Sequence, residues 1–312
     1  ILSIISLLVY WGVKLLPSPW VHGINFTPTG SSFSTTAVLA LLLPFVVSKI
    51  FSHNLTVKII SSILLALFGA TIALTGSWPV WIAASGGLVL TFFALAPKEF
   101  FHLQPSMIGF FAPVILIALM ALLSFIPPIG GAKNPLYDAA RNFPREVQLD
   151  FVSSWKISVS AFRDSPFWGS GPSTYLFNFT SYKPVEINSS QFWNLRFDTA
   201  FNEYLQVLAS LGGVGLVAML SLTALFISAA YKALKDRTHE LRALLAISGL
   251  IFFVILALHS STLTVWVFGL IILACFFVMN LTGGGAVRSW SLGGSFQQTI
   301  RKFAGNVTSF AS

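Results

Sequence analysis

The polar chemistry of this chain is concentrated between Pro127 and Ala200 and in the turn that follows. Phe201-Asn202-Glu203-Tyr204-Leu205-Gln206 opens an apolar run, so Asn202, Glu203 and Gln206 stand at a helix start. Glu203 and Gln206 are three apart and share a face. Either that face points into a cavity beneath Arg196, where a carboxylate does chemistry, or the acid is there because a helix N-terminus favours negative charge. Arg196 and Asp198 flank Phe197 in the aromatic stretch just upstream. Earlier comes Phe162-Arg163-Asp164-Ser165-Pro166-Phe167-Trp168-Gly169-Ser170-Gly171-Pro172. Gly169 and Gly171 either let backbone approach a ligand such as a phosphate, or simply permit a tight turn. Lys156 and Lys183 are further cations of the same segment. Arg163 beside Asp164, and Arg196 near Asp198, read equally as local ion pairs. No His/Asp/Glu cluster has ligand spacing, so no metal is expected. The single cysteine, Cys275, excludes an intramolecular disulfide and a CxxC site.

The elements that position these residues are apolar helices. Only 9% of residues are charged and 55% are hydrophobic, against about 25% charged in soluble domains. The expectation is an all-α polytopic membrane protein with about eight transmembrane helices. The apolar segments run over 1–16, 36–52, 58–75, 79–96, 106–126, 202–231, 243–258 and 262–281. Each approaches the roughly 20 residues that a span needs, the first being short. The chain opens inside an apolar run without a cleavable signal pattern and reads as the C-terminal part of something longer. Pro44 and Pro113 fall within spans, where neighbouring helices can satisfy the freed carbonyls.

With eight spans, Lys49, Lys58, Lys98, Lys232, Lys235, Arg237, Arg242 and the basic residues of the tail share one side. By the positive-inside rule that side is the cytoplasm, and Lys14 is the one dissenter. The net charge of +8 therefore reports topology, and no nucleic-acid partner is expected. Four regions follow: N-terminal spans over 1–126, an external loop over 127–200, C-terminal spans over 201–281 and a flexible cytoplasmic tail over 282–312.

Within the loop, Pro127-Pro128 stop the incoming helix and Gly130-Gly131 free the chain. After Pro144, Val147, Phe151, Trp155, Val159 and Phe162 recur every three or four residues. This spacing predicts an amphipathic helix lying on the membrane surface. It serves either as a lid over the spans or as one wall of a groove for a lipid-linked substrate.

Three stretches together resemble the O-antigen ligase and O-antigen polymerase superfamily of bacterial envelope glycosyltransferases. They are Trp155 through Pro172, Phe201 through Gln206 leading to Leu211-Gly212-Gly213-Val214-Gly215-Leu216, and Thr27-Pro28-Thr29-Gly30-Ser31-Ser32 before a span. The resemblance implies a C-type membrane glycosyltransferase fold in the bacterial cytoplasmic (inner) membrane, with the large loop outside. It implies transfer of a glycan from an undecaprenyl-diphosphate carrier to a lipid or saccharide acceptor, with no metal or other cofactor. Its partners would be the polyprenyl-diphosphate-linked glycan, the acceptor and membrane lipids. The family's ligases carry a His at the end of the external loop, upstream of a Gly. Here Phe201 stands at that position, with Gly212 downstream. A variant active site and an inactive relative are both compatible with this departure.

A leaving diphosphate calls for fixed cations, and Arg offers a planar fork of donors. Arg163 and Arg196 are the first candidates, with Lys156 and Lys183 behind them. Gly169, Gly171, Asn202 and Gln206 complete the substrate-binding set. Glu203, then Asp198, are the candidates to orient or deprotonate an acceptor hydroxyl, with Arg196 beside them. His259 ends a span at the outer surface. It either caps helix carbonyls or turns toward the same cavity in place of the absent His. The competing functions are a transporter or flippase, and a non-catalytic binder of lipid-linked saccharide. A translocation path would place ionisable residues deep within spans. These spans are nearly free of charge, which favours a site at the surface.

Overall fold

The computed structural model describes residues 1–10, 13, 26–50, 54–75, 77–95, 119, 127, 134–143, 146–236 and 239–282. Among them there are helices and no strands. The helices are α1 Leu2–Tyr10, α2 Ser32–Ile50, α3 Leu55–Thr75, α4 Trp78–Leu95, α5 Pro135–Asn142, α6 Phe151–Asp164, α7 Tyr175–Tyr182, α8 Val185–Asn188, α9 Glu203–Asp236, α10 Glu240–Leu258 and α11 Leu263–Thr282. Six of them (α2, α3, α4, α9, α10 and α11) are long and apolar enough to cross a bilayer. Of the eight expected spans, the first coincides with the short α1, and the one over 106–126 lies almost wholly outside the described residues. Also outside are Lys14, Lys98, Lys133, Arg145, Arg237, Pro113, Pro128, Gly130, Gly131, His22, His53, His102 and the tail from residue 283.

Three of the six, α2, α3 and α10, begin three or four residues before the expected positions, because their first turns hold polar residues and escape an apolar count. In α2, Ser31 Oγ accepts the Ser34 N–H at 3.2 Å and caps the helix. The chain divides into two units, Ile1–Leu273 and Ala274–Ser312. All that follows concerns the first.

α2 is the central helix of this unit. It packs on α3, α4 and α10, and its Ala37, Val38, Leu39, Ala40, Leu41 and Leu43 are buried. Pro44 removes one rung from its hydrogen-bond ladder. Ser248 of α10 donates to the Leu41 carbonyl at 2.8 Å, one residue along from the Ala40 carbonyl that Pro44 leaves free. Small residues let the helices approach. A Cβ on Gly249 of α10 would lie 2.2 Å from the Phe226 ring of α9.

The polar segment folds on its own small core. Leu149, Ile157, Ala161, Tyr175, Phe179, Ile187 and Phe197 cluster with Leu205 and Ala209 of α9. α6 begins where Asp150 accepts the Ser153 N–H at 2.9 Å. Its buried side is Ser153, Ser154, Ile157, Ser158 and Ala161. Of the apolar stripe expected from the sequence, Val147, Phe151 and Trp155 are half exposed, and Val159 and Phe162 are partly buried. Small residues pack closely against α9, and Ser154 lies 3.1 Å from the Tyr175 hydroxyl of α7 and accepts the Phe201 N–H at 2.8 Å. The bulky aromatics Phe151 and Trp155 are left partly exposed at the surface of the fold.

Candidate functional site

α9 has 34 residues, or about 50 Å at 1.5 Å per residue. That exceeds a hydrocarbon core of roughly 30 Å. The excess is resolved at Gly212, whose φ of 66° and ψ of −159° break the helix. This backbone region is essentially restricted to glycine. The Pro166–Gly171 loop enters the break. The N–H groups of Ser170 and Gly171 donate to the carbonyls of Ala209 and Ser210 at 3.2 and 2.8 Å. Those of Gly213 and Val214 donate to the carbonyls of Pro166 and Phe167 at 2.8 and 3.2 Å. The two chains pass so closely that a Cβ on Gly169 would lie 2.5 Å from the Gly212 nitrogen. Gly169 thus meets the backbone of α9, while Gly171 is held at φ 111°, where a Cβ would touch only the Thr174 side chain at 3.4 Å. Ser170 is tied in as well: its hydroxyl accepts from Asn178 Nδ2 at 2.7 Å and lies 2.6 Å from the Thr174 hydroxyl.

The residues at the start of α9 are partnered. Asn202 Oδ1 caps the helix by accepting the Leu205 N–H at 2.9 Å, and its Nδ2 donates to the Ala257 carbonyl at 2.9 Å. Gln206 accepts the Ala200 N–H at 2.7 Å. Glu203 accepts the Ser261 N–H at 3.0 Å and so holds the turn between α10 and α11. The four expected cations scatter. Lys156 pairs with Glu186 at 2.6 Å. Lys183 donates to the Trp193 carbonyl at 2.7 Å. Arg163, Arg196 and Asp198 are exposed, and neither Arg has an ionic partner among the described residues. Arg163 lies two residues beyond the buried Ala161 and so falls on the outer side of α6.

Two hollows open where these elements meet. The larger, about 420 Å³, runs along α6 past Asp150, Lys156, Glu186, Ser190 and Phe197. The smaller, about 220 Å³, lies between the ends of α2, α4 and α10 and is lined by Ser32, Phe33, Trp78, Glu146, Gln148 and His259, among others. Gln148 borders both. Neither hollow is lined by Arg163 or Arg196. The acids outnumber the cations in the described lining: Glu146, Asp150 and Glu186 against Lys156.

The smaller hollow is tightly organised. Glu146 accepts from Ser31 Oγ at 2.9 Å and from the Ser32 N–H at 3.2 Å, so it binds to the start of α2. Negative charge is favoured there. Gln148 Nε2 donates to the Phe201 carbonyl. His259 stacks on Phe33 with ring centroids 3.7 Å apart, and its Nδ1 is 2.6 Å from the Ser260 carbonyl. Burial pushes the His259 imidazole below its ordinary pKa, the hydrogen bond to Ser260 opposing this, so the ring is neutral at pH 7. His259 is the C-cap residue of α10, its N–H donating to the Ile255 carbonyl at 2.9 Å, and it also lines this hollow, which Glu203 and Arg196 do not.

Glu146, Gln148 and Trp78 escaped sequence reasoning. Residues 146–150 have no regular secondary structure, and Glu146 and Gln148 come together only in the lining of the smaller hollow. The Thr27–Ser32 stretch, singled out by resemblance, supplies the Ser31 and Ser32 partners of Glu146.

A family model described as O-antigen ligase matches residues 62–220, about half of the chain. The chain belongs to the O-antigen ligase family. The match takes in Trp78, Glu146 and Gln148, the interlocked Gly169 and Gly212, and the expected site residues from Lys156 to Gln206, and leaves His259 outside. No curated protein matches the chain.

Proposed function

We propose that this O-antigen ligase family member transfers a glycan from an undecaprenyl-diphosphate carrier to a hydroxyl of a lipid or saccharide acceptor, at the outer face of a bacterial cytoplasmic membrane. The observation that carries the reading is the hollow beside Trp78, Glu146, Gln148 and His259 at the end of an apolar helix bundle. The charged residues of the six long helices, Lys49, Lys58, Glu203, Lys232, Lys235, Asp236, Glu240 and Arg242, all stand near helix ends. That supports chemistry at the bundle's mouth over passage through it.

In the reaction, the acceptor oxygen forms a bond to the anomeric carbon of the glycan. The bond from that carbon to the diphosphate oxygen breaks, and its electron pair leaves with undecaprenyl diphosphate. The acceptor hydroxyl gives up its proton. Arg163 and Arg196, exposed and without an acidic partner among the described residues, are available to meet the developing charge. Glu203 and Asn202 act as positioning residues, fixing the α10–α11 turn and the end of α10 against the start of α9.

The test is reconstitution of the protein in nanodiscs with undecaprenyl-diphosphate-linked oligosaccharide and a lipid extract of the source cells. The expected result is release of undecaprenyl diphosphate with transfer of the glycan into the extract, lost in Glu203→Ala. An intact, correctly inserted protein that releases none would refute the proposal.

A further inference from the structure

We propose that the smaller hollow is a subsite for the acceptor's uncharged sugar. Trp78 lies beneath the sugar's C–H face, Glu146 and Gln148 receive its hydroxyls, and His259 Nε2 accepts the proton of the attacking hydroxyl. This rests on the glycan-transfer reading and names the substrate class of one part of that site.

The lining decides the class of ligand. Its described residues offer a carboxylate, an amide, an imidazole, hydroxyls and an indole, and no Lys or Arg. A phosphate placed there would meet the Glu146 carboxylate as a like charge. A sugar hydroxyl would donate to it. Each Glu146 oxygen receives one protein hydrogen bond, and each has a further lone pair to offer. The Gln148 amide is oriented by the Phe201 carbonyl, which only accepts, so its nitrogen faces that way and its oxygen is left for a ligand. The indole of Trp78 supplies a broad apolar surface and is 45% exposed, so it reaches beyond its own packing. The volume, about 220 Å³, lies below the roughly 300 Å³ at which pockets for drug-sized ligands begin. It is the scale of one monosaccharide ring. Gln148 connects the hollow to the larger groove along α6, where the following sugars of an acceptor chain would run.

The geometry of His259 assigns its role. The Ser260 carbonyl can only accept, so the Nδ1 atom beside it carries the proton and Nε2 holds the lone pair. Stacking on Phe33 fixes the ring plane. A neutral imidazole with a fixed tautomer, lining a hollow that contains a carboxylate and an amide, is equipped to take a proton from a hydroxyl held between them. Phe201, at the position of the family's His, contributes only its carbonyl to this arrangement, as the acceptor for Gln148.

Saturation-transfer NMR on the protein in nanodiscs tests this, with methyl glucoside, methyl galactoside and methyl rhamnoside as probes and inorganic pyrophosphate as competitor. At least one glycoside should receive saturation. The signal should vanish in Trp78→Ala, return in Trp78→Phe and fall at least fivefold in Glu146→Gln. Equimolar pyrophosphate should leave it unchanged. His259→Gln should keep glycoside binding and the acceptor KM while lowering kcat at least a hundredfold. No saturation of any glycoside by the wild type, displacement by pyrophosphate, or wild-type binding in Trp78→Ala would overturn the subsite. Unchanged kcat in His259→Gln would overturn its role as base. Glycoside binding without any glycan transfer would condemn the enzymatic reading and leave the sugar subsite standing.

Discussion

Gly212→Ala tests the interlock between the Pro166–Gly171 loop and α9. The new Cβ would lie 2.6 Å from the Gly169 nitrogen and 2.6 Å from the Phe167 carbonyl oxygen, distances that real Cβ atoms do not show. Both neighbours are backbone, so no side chain can rotate away. Holding alanine at φ 66°, ψ −159° costs about 1–3 kcal/mol. Moving the loop aside to admit the methyl weakens the four backbone hydrogen bonds across the break. Loss of two, at about 1 kcal/mol each net, brings the expected destabilisation to about 4 kcal/mol. For a chain of this size that is a fall of about 10 °C in Tm, measured by the loss of the monodisperse peak when detergent-solubilised protein is heated. Gly86→Ala is the control, because a Cβ there meets nothing within 4 Å and the residue lies within helical α4. It should be neutral or slightly stabilising. If Gly212→Ala and Gly86→Ala melt alike, Gly169 is not there for contact, and its ligand-approach reading returns.

Arg163→Ala and Arg196→Ala should each lower glycan transfer at least tenfold while leaving expression and thermal stability unchanged, since both side chains are exposed. Full transfer in both variants would remove them from the donor site. The rate of transfer should stay flat as pH falls to the ordinary histidine value of about 6.5 and drop only below it, because burial lowers the pKa of His259. His259 is neutral in the fold, so its contribution to stability is present above the unfolded pKa and is lost as pH falls through the lower folded one. Glu146, which lines the same hollow, and Glu203, bonded two residues on, are the acids to hold constant when this limb is assigned. In a Cys275→Ser background, cysteines introduced at Asn188 and Lys235, both exposed, should be labelled by an impermeant maleimide from opposite sides of the membrane. Labelling from one side would overturn the orientation.

Sequence alone determined the long apolar helices, their membrane character and the family. These properties depend on runs of apolar residues and on short local patterns, which folding does not alter. It also located a helix start at Asn202, because a cap is a local device. Tertiary structure decided which residues meet. Nothing local pairs Gly169 with Gly212, Glu146 with Ser31 and Ser32, or His259 with Phe33; each contact joins segments far apart in the chain. The charged residues drew attention in the sequence because charge is rare in it, yet Arg163 and Arg196 stand outside both hollows. A residue type announces what a side chain can do. Which side of α6 turns inward depends on what α9 presents to it, and small serines pack there more closely than Phe151 and Trp155 would. The aromatic stripe was therefore legible as a stripe, and its direction was not.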